Sequence, residues 1–133
     1  MGEHMRIGEV AERTGLSLRT IRYYEEVGLV VPSARSQGGF RLYAEPDIDR
    51  LDLVKRMKPL GFHLEEMRDL LDVLDPATPG AEPSNEQRAQ LHRYCETAEQ
   101  RCAELRAKLE TAEEFAAMLR KSLEHRPAGA TAR

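Results

Sequence analysis

Apolar positions recur along this chain in three distinct rhythms, and each rhythm predicts a different kind of element. Over 6–14, Ile7, Val10 and Ala11 fall on one face of a short helix. Thr14-Gly15-Leu16 reads as a turn, because glycine takes the left-handed conformation that a sharp corner needs. Ser17 then offers an N-cap oxygen to a second helix whose apolar face is Leu18 and Ile21, with Tyr24 next in register, and Gly28 ends it. Helix, glycine turn and capped helix at this spacing predict a helix-turn-helix. Val30, Val31 and Pro32 lead into an extended segment, Gly38-Gly39 permits a hairpin turn, and Phe40-Arg41-Leu42-Tyr43 alternates as a return strand, giving a wing.

Helical spacing then resumes. Pro46 suits the first turn of a third helix, about 46–58, that buries Ile48, Leu51, Val54 and Met57. Gly61 breaks it, and a fourth helix over about 63–74 uses Leu64, Met67, Leu70 and Leu71. Residues 75–83 form a Pro-rich connector. From 84 to 125 one long helix is predicted, with apolar or small residues at Leu91, Cys95, Ala98, Cys102, Leu105, Leu109, Ala112, Ala116, Leu119 and Leu123. Their spacing alternates between four and three, the heptad seam of a coiled coil. One helix cannot bury such a stripe alone, so a partner helix is expected, most simply that of a second copy. Residues 126–133 read as a flexible tail. Met1 to His4, before Met5, look like a cloning remnant and carry no functional weight.

The predicted fold class is therefore mainly α: a winged helix-turn-helix domain over 5–74 followed by a long coiled-coil dimerisation helix over 84–125. With 133 residues, three Phe and no Trp, a large core is not expected. No run reaches the roughly 18 apolar residues of a membrane span, so a cytoplasmic protein is expected. Two cysteines do not make a disulfide framework. The net charge of -3 looks unsuited to a polyanionic partner until it is divided. Residues 1–58 hold 10 Arg and Lys against 9 Asp and Glu, whereas 59–133 hold 10 against 14. The acidity belongs mostly to the second half, and the placement of individual arginines matters more than the total.

A helix carrying Arg19, Arg22, Tyr23 and Tyr24, followed by a wing carrying Arg35, Arg41 and Tyr43, suits the grooves and phosphates of duplex DNA. The residues Ile7-Gly8-Glu9-Val10-Ala11, Thr14-Gly15-Leu16-Ser17, Arg19-Thr20-Ile21-Arg22-Tyr23-Tyr24-Glu25, Gly39-Phe40-Arg41-Leu42-Tyr43 and Leu60-Gly61-Phe62 resemble the MerR family of bacterial transcription regulators over 5–74, and the long helix extends the likeness to about 125. The resemblance implies a homodimer joined by an antiparallel coiled coil that binds a pseudo-palindromic promoter, bends and untwists it, and presents it to RNA polymerase. By the same resemblance Ser17, Arg19, Thr20, Arg22 and Tyr23 contact DNA from the recognition helix. Arg35, Gly39, Phe40, Arg41 and Tyr43 do so from the wing, and Lys58 from the end of the third helix. Arg41 has an alternative partner in Glu25 or Glu26, and Tyr24 and Tyr43 are as well suited to the core as to DNA. Phe40 stands where the family often has tyrosine, and Pro59 after Lys58 stops the helix early.

The cysteines are expected to be small seam residues. The alternatives are a cross-chain Cys102 pair, and a contribution of His92 and Cys95 to a metal site. The resemblance implies that a copper- or zinc-type site would place cysteines in a loop beyond the long helix; none follows His125, so such a loop is not expected, and neither is the separate ligand domain of drug-sensing relatives. Phe115 and Met118 lie off the seam and are expected to pack on a DNA-binding domain. No carboxylate pair, nucleophile–base pair or phosphate loop appears; no enzymatic activity, metal or cofactor is expected, and no effector is named by the sequence. Two other readings compete: an effector-independent DNA bender, and a coiled-coil protein-interaction module.

Overall fold

The computed structural model describes residues 4–74 and 82–125. The chain order is β1 (Met5–Arg6), α1 (Ile7–Thr14), α2 (Leu18–Glu26), β2 (Ala34–Arg35), β3 (Arg41–Tyr43), α3 (Glu45–Met57), a 3-10 turn (Lys58–Leu60), α4 (Leu64–Leu74) and α5 (Asn85–His125). Two compact units result, one ending at Leu91 and one beginning at His92. The expected connector lies outside the described residues over 75–81, as does the tail over 126–133. Among the described residues no helix is long and apolar enough to cross a membrane.

Within the first unit, α1 ends where Thr14 turns its hydroxyl back to the Val10 carbonyl (2.8 Å) and Gly15 takes φ +77°. A Cβ is strained at that angle, so the corner between the two helices depends on glycine. Ser17 caps α2 as expected, its hydroxyl accepting the Thr20 N–H at 3.1 Å. The buried face of α2 is Ile21 and Tyr24; Leu18 is 40% exposed, which corrects its place in the expected apolar face. Three residues advance a helix by about 300°, so Leu18 lies roughly 60° to the side of Ile21, at the edge of the buried stripe.

The hairpin forms with one addition that apolar alternation did not reveal. Arg6, expected to open the first helix, instead forms with Met5 a strand on β3, giving an antiparallel sheet in the order β1-β3-β2. The register places Met5 opposite Tyr43, and Arg35 opposite Arg41. Val10, Ile21, Val30, Tyr43, Leu51 and Val54 form the centre of the core, with Met67, Leu70 and Leu71 of α4 closing it. Tyr43 is fully buried, so it belongs to the core and not to the DNA contacts proposed for it. Burial and the neighbouring Glu25 push its phenol above the ordinary value. Neither its hydroxyl nor that of buried Tyr24 has a hydrogen-bond partner among the described residues.

Two acids bind the elements together. Asp47, almost fully buried, accepts from Ser33 N–H (3.1 Å), Ser33 hydroxyl (2.6 Å), Ala44 N–H (2.9 Å) and Arg50 (3.0 Å). It thereby caps α3 and ties the segment leading into β2 to that helix; a buried charge is tolerated when it is this fully bonded. On the surface, Arg13 of α1 forms a two-pronged pair with Glu45 of α3 at 2.5 and 3.2 Å, which holds the Glu45 carboxyl below its ordinary value.

Helix α3 stops at Met57, and Pro59 sits in the 3-10 turn that follows, ended by Gly61. The early stop expected from Pro59 is what the chain does, because proline supplies no N–H to continue the ladder. At the start of α4 the His63 backbone N–H donates to the Glu66 carboxylate at 2.8 Å.

Helix α5 opens on a reciprocal cap. Ser84 hydroxyl accepts the Gln87 N–H at 3.1 Å, and Gln87 side chain accepts the Ser84 N–H at 2.9 Å. Its 41 residues extend about 61 Å at 1.5 Å each. None of them is buried, and Leu109, Leu119 and Leu123 are 57%, 51% and 66% exposed. Cys95 is exposed, Cys102 half-buried, and both thiols are free. Among the described residues no group of three or more His, Cys, Asp or Glu is arranged to hold a metal ion.

Candidate nucleic-acid interface

The cations of the first unit divide into those with partners and those without. Arg13 is paired with Glu45 and Arg50 with Asp47. Lys55 donates to the Thr14 carbonyl, and Arg68 to the Val27 carbonyl at the end of α2. Arg19, Arg22 and Lys58 have no acidic partner among the described residues and are exposed. Arg19 and Arg22 stand on the solvent side of α2, opposite buried Ile21 and Tyr24, with Tyr23 about half exposed beside them. Free arginines on one helix face are available to phosphates and to guanine edges. Ser17 and Thr20 lie at the start of the same helix, their hydroxyls joined at 2.9 Å.

The wing is built differently. Arg35 and Arg41 face each other across the ladder, a pairing of like charges that opposes strand association. Glu25, on α2, resolves it. One carboxylate oxygen accepts from Arg35 at 2.6 Å, and the other accepts from Arg41 Nε. The Arg41 guanidinium is consequently held above its ordinary value, first by that hydrogen bond. Arg35 also donates to the Gly39 carbonyl at 3.0 Å, fixing the turn. The alternative reading of Arg41, a pair with Glu25, is thus observed, and it extends to Arg35. Glu25 is the residue that sequence reasoning underrated: it fastens the wing to the recognition helix while leaving one net positive charge among the three groups.

At the wing tip the hairpin closes through Ser36 N–H to Phe40 carbonyl and Gly39 N–H to Ser36 carbonyl, both 2.9 Å, with Gly39 at φ +83°. Phe40 is 57% exposed, and Arg6 of β1 stacks its guanidinium 4.6 Å from the ring centroid. Lys58 places its ammonium 5.9 Å from the Tyr24 ring centroid. Arg19, Tyr23 and Lys58 line one surface cleft, whereas Arg35, Gly39, Phe40 and Arg41 gather at the wing. Tyr43 alone of the expected DNA contacts is withdrawn into the core.

Known proteins are similar to this chain in sequence and in fold. Residues 5–74 match the family described as MerR HTH family regulatory protein, and 48–122 match the one described as MerR, DNA binding. The mercuric resistance operon regulatory protein of Bacillus cereus is 47% identical over 70 residues, covering 53% of this chain and 53% of that protein. This chain therefore spans about half that relative's length. The HTH-type transcriptional regulator CueR of Escherichia coli O157:H7 is 38% identical over 96 residues, 69% of this chain and 71% of the relative. Among solved structures, HiNmlR, a MerR family regulator lacking the sensor domain and bound to promoter DNA, superposes with a TM-score of 0.68 at 22% identity, over 90% of this chain and 93% of that one. The mainly helical fold with its small winged sheet is that of these regulators, and the chain belongs to the MerR family of helix-turn-helix regulatory proteins.

Proposed function

We propose that this protein is a transcription regulator that binds a pseudo-palindromic promoter site as a homodimer and distorts the DNA between its half-sites. The observation that carries the reading is the sorting of cations: Arg19 and Arg22 are left free on the outer face of α2, while Glu25 draws the wing's two arginines onto the same helix. A recognition helix and a wing coupled through one carboxylate can grip groove and backbone as a single body. Two such bodies, joined through the seam Leu91 to Leu123, bend or untwist the centre without touching it. RNA polymerase is the partner that reads the result, and the solved relative bound to promoter DNA supports duplex DNA as the ligand. Ser17, Thr20, Tyr23, Gly39, Phe40 and Lys58 complete the contact surface.

Binding isotherms with a selected duplex at physiological salt test this reading. Arg22→Ala is expected to weaken binding by about 1–3 kcal/mol. An unchanged isotherm would remove the recognition helix from its role. Raising salt is expected to weaken the wild type steeply, since phosphate neutralisation releases counterions.

A further inference from the structure

Beside the recognition helix lies a surface cleft of about 480 Å³, larger and more apolar than a DNA backbone requires. Tyr23 and Tyr24 line it, their rings 5.8 Å apart and tilted by 52°, together with Leu64 and Met67 of α4. Arg19 and Lys58, neither paired with an acid among the described residues, also line it. The size falls within the range of about 300–1,000 Å³ typical of small-molecule sites. A phosphodiester would engage the two cations but has no use for two aromatic rings, a leucine and a methionine. Polarizable Met67 and the tilted tyrosine rings suit a flat aromatic body, and the cations suit a single negative charge.

We propose that this cleft is a ligand site for an aromatic monoanion, whose ring lies against Tyr23, Tyr24, Leu64 and Met67 and whose charge meets Arg19 and Lys58. The consequence rests on the DNA reading above. Arg19 and Tyr23 cannot serve the ligand and the duplex together, so occupancy competes directly with DNA. Such control differs from an effector acting through the long helix, because it removes the protein from DNA and leaves its dimer intact.

The probe is anilinonaphthalene sulfonate, an aromatic monoanion, added to the full chain carrying 13C-methyl methionine. The five methionines include Met67 in the cleft and Met118 on α5, which is 53% exposed and reports adsorption to the long helix. The expected result is a saturable shift of the Met67 methyl with Met118 unmoved. In Leu64→Glu, with its circular dichroism unchanged, the Met67 methyl no longer responds to probe. Lys58→Gln, at an exposed position that does not threaten the fold, raises the probe Kd several-fold. A shift confined to Met118, no saturable shift at Met67, or a probe Kd indifferent to Lys58→Gln would overturn the site. Duplex binding is measured separately on probe-free protein. Loss of duplex binding there counts against the DNA reading alone, while the Met67 response still decides the cleft. Where duplex binds, probe must raise its apparent Kd in step with occupancy, and a duplex indifferent to bound probe overturns the competition.

Discussion

In the unit that ends at Leu91, the side chains of Val10, Ile21, Leu51 and Val54 have no exposed surface, whereas no residue of α5 is buried. Both regions place apolar residues at helical spacing, Val, Ile and Leu in the first and mainly Leu, Ala and Cys along the stripe of α5. What decides burial is chain reversal. Gly15, Gly39 and Gly61 take positive φ and turn the first unit back on itself, so each apolar face meets another. No such corner interrupts Asn85–His125, and its apolar stripe has no opposing face within its own helix. Helical spacing thus locates an apolar face, while burial depends on whether the chain, or a second chain, returns to cover it.

The largest test of that contrast removes the seam. Leu109→Glu with Leu119→Glu is expected to convert a dimer to monomer in analytical ultracentrifugation, while the near-native circular dichroism of the first unit persists. A dimer that survives both changes would place the interface elsewhere. Next, Leu51→Ala in the closed core is expected to cost about 2–5 kcal/mol in chemical denaturation. Leu51 is fully buried, so a loss under about 1 kcal/mol would contradict the packing described.

Glu25→Gln is a finer probe. Its loss leaves Arg35 and Arg41 repelling across the ladder and frees the wing from α2. Affinity for a selected site is expected to fall by about 1–2 kcal/mol, while non-specific duplex binding at low salt tightens because two cations are released. If both affinities fall together, Glu25 acts through stability and not through positioning. The smallest expected effect belongs to Tyr43→Phe. It removes a hydroxyl that is buried without a partner among the described residues, so stability should stay within about 1 kcal/mol or rise, and DNA affinity should be unchanged. A clear loss of affinity would return Tyr43 to the interface.

Much of this architecture was legible in the residues because local chemistry dictated it. Ser17 before an apolar helical run, Gly15 at the corner, Gly39 at the hairpin tip and Pro59 after Lys58 each force one backbone outcome, and each outcome is found. Features set by tertiary partners were less visible. Met5–Arg6 is too short to show alternation and becomes a strand only because β3 is beside it. The burial of Tyr43 depends on which face of a three-residue strand meets the core. Of the candidate interface, the free arginines were evident, but the role of Glu25 required knowing that Arg35 and Arg41 sit opposite each other. Asp47 escaped notice for a similar reason, since Ser33 is fourteen residues away.

Two such units gripping one duplex through α2 and its wing should distort its middle. Hydroxyl-radical footprinting on the DNA upstream of the protein's own gene, at a stoichiometry fixed by sedimentation, tests it most directly. The expected result is one dimer per duplex, two protected half-sites related by a dyad, and hyper-reactive backbone positions at the centre between them. A single protected half-site bound by monomer, or no protection at any salt, would contradict it.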